Sequence, residues 1–355
     1  MRTFLGLLAA SLVLLHGLAC AADERANHQP VRAVGDQRLE VQTRAGSGAF
    51  VFFASRPLAD GAVQPDVDRV VLVVHGVQRN AGGYFAYAQA AAGAAPEAAA
   101  HTLLVAPQFL AERDVAAHEL AAQTLRWSLT GWEGGEAAQA PAPIGSFEAV
   151  DALLAMLADR HRFPKLAEVV IAGHSGGGQL VQRYAVVGRG ESLLGAAGIK
   201  VRYVVANPSS YLYFSADRPQ ADGRFAPPPV PFTCPRFDRW KYGWEDAPPY
   251  ARQSTPAAYE SRYVQRDVVY LLGGADTEPQ GHDIDTTCAA ESQGPVRLAR
   301  GRSYMAYLRL RHPGFEPVAK EVPGVGHDGK RMIGSACGVA VLFDDARSAA
   351  ACTAQ

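Results

Sequence analysis

The feature that most restricts how this chain can fold is the pentapeptide Gly173-His174-Ser175-Gly176-Gly177. It follows a strand-like run at 168–172, apolar from Val169 onward, and precedes a stretch with helical spacing at 179–187. A continuous β-branched run of this kind fits a strand covered on both faces, as in a parallel sheet flanked by helices. Turning from such a strand into a helix within a residue or two demands a sharp, strained backbone. The flanking glycines let strand and helix approach where a Cβ would obstruct them. The serine is then held at the tip of the turn, at the C-terminal edge of the sheet. Ser175 is therefore the candidate nucleophile, against the alternative of a plain glycine-rich turn.

The rest of the chain repeats the alternation. After a short antiparallel start at 39–43 and 49–53, strands are expected at 69–74, 102–106, 201–206, 267–272 and, more weakly, 319–322. Helices are expected at 146–162, 179–187, 302–311 and 329–343. Val150, Leu153, Leu154 and Leu157 share one face of the first, and Ser146 is placed to cap it. This alternation implies an α/β chain with a mainly parallel sheet and helices on both faces. Two stretches interrupt it, at 125–144 and 209–262. Both are rich in aromatic residues, glycine or proline, a composition suited to lining or covering a site. Trp127, Trp132, Trp240 and Trp244 are the candidate substrate-binding residues. Packing against one another, or shielding a sheet edge, is the competing reading.

A serine nucleophile needs a base, and the base needs an orienting acid. His327 lies in the glycine-rich stretch 324–329, after the last strand, and that loop can bring an imidazole back over the sheet edge. His174 is within the turn itself and points away from the serine, His75 ends an earlier strand, and His282 and His312 read as surface residues. Asp276 follows the strand at 267–272 and so shares the edge with Ser175; Glu278, Asp283 and Asp285 are its rivals. An oxyanion formed at the substrate carbonyl needs two backbone donors. Gly176 supplies one. The loop after the strand at 69–74 supplies the other, with Val77 preferred and Gln78 second.

The N-terminus has a basic start, an apolar run at 4–18 and small residues at 19–22. This is the pattern of an export signal over residues 1–21, with acylation at Cys20 as the alternative. The run is short for a membrane span. Export leaves Cys234, Cys288, Cys337 and Cys352, an even number in an oxidising compartment, secreted or periplasmic. Of the three possible connectivities, Cys234–Cys288 with Cys337–Cys352 is favoured. Without a Cys-x-x-Cys pair, and with acidic spacing at 276–285 unlike an EF-hand, no metal is expected, and the chemistry requires no cofactor. The net charge of −1 gives no footprint for nucleic acid.

Taken together, strand-His-Gly at 75–76, Gly-His-Ser-Gly-Gly at 173–177, Gly-Ala-Asp at 274–276 and Gly-His at 326–327 resemble the α/β-hydrolase superfamily, in its order. The resemblance spans about 69–343. It implies an eight-stranded sheet, a Ser175–His327–Asp276 triad, and a lid-like insertion before the acid-bearing strand. It extends to secreted esterases of the polyhydroxyalkanoate-depolymerase and feruloyl-esterase type. The His-Gly-Gly-Gly of one lipase group is replaced here, with Val77 and Gln78 in place of two glycines, so no substrate is carried over. The expectation is one domain over 30–352, a monomer that cleaves a small-molecule or polymeric carboxylic ester. A peptidase or amidase of the same fold, or a non-catalytic binding protein, is the alternative.

Overall fold

A computed structural model describes residues 26–58, 61–228, 234–281 and 283–353. The export signal and His282 lie outside the described residues. The main sheet has eight strands in the order β1-β2-β4-β3-β5-β6-β9-β10. These are β1 (Gln37–Thr43), β2 (Gly46–Ala54), β3 (Arg69–Val74), β4 (Thr102–Pro107), β5 (Glu168–His174), β6 (Lys200–Ala206), β9 (Asp267–Gly273) and β10 (Val318–Val322). A two-stranded ribbon, β7 (Arg218–Pro219) with β8 (Phe225–Ala226), stands apart from it. Within the main sheet, pairings β1–β2 and β2–β4 are antiparallel and the others parallel, with Val70 opposite both Leu103 and Val169.

The central strands are buried almost end to end, which accounts for their unbroken apolar runs. Alternate residues feed two separate cores. Val70, Leu72 and Val74 face one side with Val169 and Ile171, while Val71 and Val73 face the other with Val170 and Ala172. Each core is closed by helices. On the second side these are α1 (Ala81–Ala94) and two C-terminal helices, Gly329–Ile333 and Ala336–Phe343. On the first are α2 (Ser146–Leu157), α3 (Gly176–Val187) and α4 (Arg297–Arg311).

Two local expectations are corrected. Ser146 does not cap α2; Gly145 does, with its N–H donated to Glu148, while the Ser146 hydroxyl donates to the Trp132 carbonyl at 2.6 Å. The helix expected at 329–343 is two helices, because the Ser335 hydroxyl accepts the Gly338 N–H and starts a new one. Helix α1 had no counterpart in the sequence reading.

The four cysteines form Cys234–Cys288 and Cys337–Cys352. The first pins the 209–262 insertion to the segment beyond Asp276. The second ties Ala336–Phe343 to the last helix, Ala346–Thr353. Among the described residues, no helix is long and apolar enough to cross a membrane.

Candidate active site

Ser175 sits between β5 and α3 with φ 59° and ψ −121°, a left-handed backbone that a non-glycine residue adopts only under constraint. Two constraints are visible. Its N–H donates to the Ala206 carbonyl at the end of β6. A Cβ on Gly173 or Gly177 would lie 2.3 Å from a backbone oxygen, of Gly177 and Val74 respectively, so both positions require glycine. The turn is squeezed between β3 and β6, and the serine hydroxyl is left at the sheet edge.

The Ser175 hydroxyl lies 2.9 Å from His327 Nε2, and His327 Nδ1 lies 2.9 Å from Asp276 Oδ2. Three loops 51 or more residues apart in sequence converge on this line. Asn207, at the end of β6, helps hold two of them. Its Oδ1 accepts the Gly273 N–H, and its Nδ2 donates to the Gly326 carbonyl beside His327. Asp276 is buried, with its other carboxylate oxygen 3.5 Å from the buried Arg297 guanidinium. The imidazole of His327 is pushed below its ordinary 6.5 by burial, pulled up by the Asp276 hydrogen bond, and pushed down again by Arg297. A base must be neutral to take the serine proton. The acid limb of kcat/KM against pH is therefore expected to have its midpoint below 6.5. A pH–rate series with a midpoint at or above 6.5 would contradict this.

The loop after β3 is arranged by His75, which is fully buried. His75 Nε2 accepts the Phe109 N–H at 3.0 Å, so the proton is on Nδ1, which donates to the Gly76 carbonyl at 2.8 Å. Burial holds this imidazole down to about 4, hence neutral. In a trans peptide the C=O and the next N–H point in opposite directions. Fixing the Gly76 carbonyl thus also fixes the Val77 N–H. A Cβ on Gly176 would lie 3.1 Å from Val77 N, which brings the two candidate oxyanion donors side by side. His75→Leu is expected to lower kcat about 10²-fold with little change in KM, as a displaced donor would. A raised KM with kcat unchanged would contradict it.

Several members of the site were not legible in the sequence. Tyr84 of α1 places its hydroxyl 2.9 Å from His174 Nδ1 and against Gly76 and Gly329, and so touches the serine turn, the loop after β3 and the loop that carries His327. The His174 ring lies 4.8 Å from that of His327, and its Nδ1 is engaged by Tyr84. Glu133 is buried with its Oε1 facing Gly176, and Lys241 pairs with its Oε2 at 2.6 Å. That ion pair balances the charge of a carboxylate buried beside the serine turn.

The four tryptophans fall into two pairs with different surroundings. Trp127 and Trp132 are completely buried, and Trp132 lies flat on Phe109 and edge-on to His75. The 125–144 segment therefore backs His75 and the loop after β3. Trp240 and Trp244 are half-buried and pack on each other, with Trp244 stacked on Tyr259. Burial removes Trp127 and Trp132 from the accessible surface, whereas Trp240 and Trp244 keep part of theirs. His312 pairs with Glu260.

No protein-family model matches the chain, and no curated protein matches its sequence. Solved structures do match in fold. Poly(aspartic acid) hydrolase-1 from Sphingomonas sp. KT-1 superposes with a TM-score of 0.58 at 21% identity, covering 89% of this chain and 99% of that one. The chain has the α/β-hydrolase fold. A poly(3-hydroxybutyrate) depolymerase from Bordetella parapertussis is similar as well, with a TM-score of 0.57 at 23% identity over 93% of this chain and 98% of that one. In the α/β-hydrolase fold adopted here, the serine turn, the acid after β9 and the histidine after β10 all lie at the C-terminal edge of the parallel strands.

Proposed function

We propose that this chain is a serine hydrolase that cleaves carboxylic esters in two steps. His327 takes the Ser175 proton as the hydroxyl oxygen attacks the carbonyl, and the Val77 and Gly176 N–H groups receive the oxyanion. Asp276 keeps Nδ1–H of the imidazole engaged and stabilises its cationic form. His327 then protonates the leaving alcohol, and water releases the acid by the same route in reverse. The observation that carries this reading is the unbroken line Ser175–His327–Asp276, with 2.9 Å at each step.

The cleft at Ser175 is also lined by Gly76, Val77 and Gln78, so the candidate donors border the same space as the nucleophile. A fluorophosphonate probe, which reacts only with an activated serine, is expected to label Ser175 covalently. A folded protein that takes up no label would refute the proposal. Export to an oxidising compartment is part of it, supported by the signal pattern at 1–21 and by two disulfides.

A further inference from the structure

Beside the triad lie two buried polar side chains that the acyl-transfer steps leave unused, Tyr84 and His174. His174 is the last residue of β5. It borders the catalytic cleft on one side. On the other it borders a small apolar cavity with Val73, Ala172, Val204, Leu271 and Met332. Its Nδ1 lies 2.9 Å from the Tyr84 hydroxyl, and its Nε2 has no hydrogen-bond partner among the described residues. Among these residues the phenol is therefore the one hydrogen-bonding group that sets how the ring is turned.

The direction of that bond follows from the surroundings. Burial, then the charges of His327 and Arg297, hold the His174 imidazole well below its ordinary 6.5, so it is neutral and carries one proton. Burial pushes the Tyr84 phenol above its ordinary 10.0, as do Tyr87, Asp328 and Asp283, and a backbone hydrogen bond from Gly76 pulls it partly back. A backbone bond that lowers a phenol is one in which the amide donates. The Tyr84 oxygen thus accepts from Gly76 and keeps its O–H to donate, with His174 Nδ1 in reach as the acceptor. The His174 proton is then on Nε2.

One hydroxyl thereby joins parts of the site that must keep their spacing. Gly76 precedes the candidate donor Val77. Its carbonyl is held by His75 and its N–H by Tyr84, so the peptides on both sides of it are fixed. The same phenol lies against Gly329, two residues beyond His327. The His174 ring packs beside the ring of His327, 4.8 Å away and inclined at 31°. We propose that Tyr84 and His174 are positioning residues: the Tyr84 hydroxyl donates to His174 Nδ1, and the pair holds the His327 ring and the Val77 N–H at the spacing that acyl transfer requires. The inference rests on the ester-hydrolase reading above and adds two residues that act through its base and its oxyanion donor.

The experiment compares the full chain with Tyr84→Phe, His174→Phe and the double variant, by kcat and KM on p-nitrophenyl acetate and by unfolding midpoint. Both substitutions keep a ring and remove polar atoms. Tyr84→Phe is expected to lower kcat about tenfold with little change in KM, because base and donor shift while the substrate contacts remain. The double variant is expected to be no slower than Tyr84→Phe, since both changes break the same bond. Parental kcat in folded Tyr84→Phe, a loss confined to KM, or losses that multiply in the double variant would each overturn the pair. The unmodified protein supplies a reading that needs no variant. Nitrogen NMR of labelled histidine is expected to find His174 protonated on Nε2, and a proton on Nδ1 would overturn the bond and the pair with it. Failure of the unmodified protein both to hydrolyse the acetate and to take up fluorophosphonate would instead overturn the hydrolase reading, and the role of the pair with it.

Discussion

Ser175→Ala is expected to lower ester turnover about 10⁶-fold, the scale of nucleophile loss in serine hydrolases of other folds. The protein should stay folded. The strain at this position belongs to the backbone, with φ 59° imposed by the close approach of β5 and α3, and alanine meets the same backbone with a Cβ of its own. Only the hydroxyl and its contact with His327 are removed. Circular dichroism and the unfolding midpoint should match the parent, and fluorophosphonate labelling should vanish. Undiminished turnover by the purified variant would dispose of Ser175 as nucleophile. A residual rate above that of water is compatible with the mechanism, because the candidate oxyanion donors survive the change.

The parts of this site that a reader of the sequence can find are those with a local signature. The serine turn announces itself through glycines that have no other reason to cluster between a buried strand and a helix. Asp276 and His327 follow from strand ends, because parallel strands bring all their C-terminal ends to one edge. The contacts that set the geometry carry no such mark. Arg79 and Asp114 are 35 residues apart and ordinary in composition, and only the fold reveals that both are fully buried. Tyr84 lies in an alanine-rich helix whose small side chains hide which face is inward. Ser146 shows tertiary context overriding propensity, since its hydroxyl is drawn to Trp132 and leaves the cap to Gly145. The surroundings of the tryptophans were hidden for a related reason. Sequence shows that a large ring must be buried, but not whether a substrate or another ring covers it, and here His75, Phe109 and Tyr259 do so.

Asp276→Asn is expected to lower kcat/KM roughly 10⁴-fold, the scale of the same change in a serine protease triad. The geometry gives a reason particular to this chain. One carboxylate oxygen accepts from His327 Nδ1 and the other faces the Arg297 guanidinium at 3.5 Å. An asparagine has a single oxygen for these two donors. Arg297 is buried and charged, and its Nε is already committed to the Ser209 hydroxyl, so the oxygen turns toward the guanidinium. The amide NH₂ then faces His327, whose Nδ1 must become an acceptor, and the proton moves to Nε2. A protonated Nε2 donates to Ser175 and cannot take its proton. Removing the charge on Arg297 should release the amide. Asp276→Asn combined with Arg297→Met is therefore expected to recover part of the lost rate, because the oxygen can turn back to Nδ1–H. The kinetics of the two single variants and the double variant in one cycle provide the measurement. If the double variant is as slow as Asp276→Asn alone, the amide orientation is not what disables the base, and the loss must come from the missing negative charge beside the imidazolium.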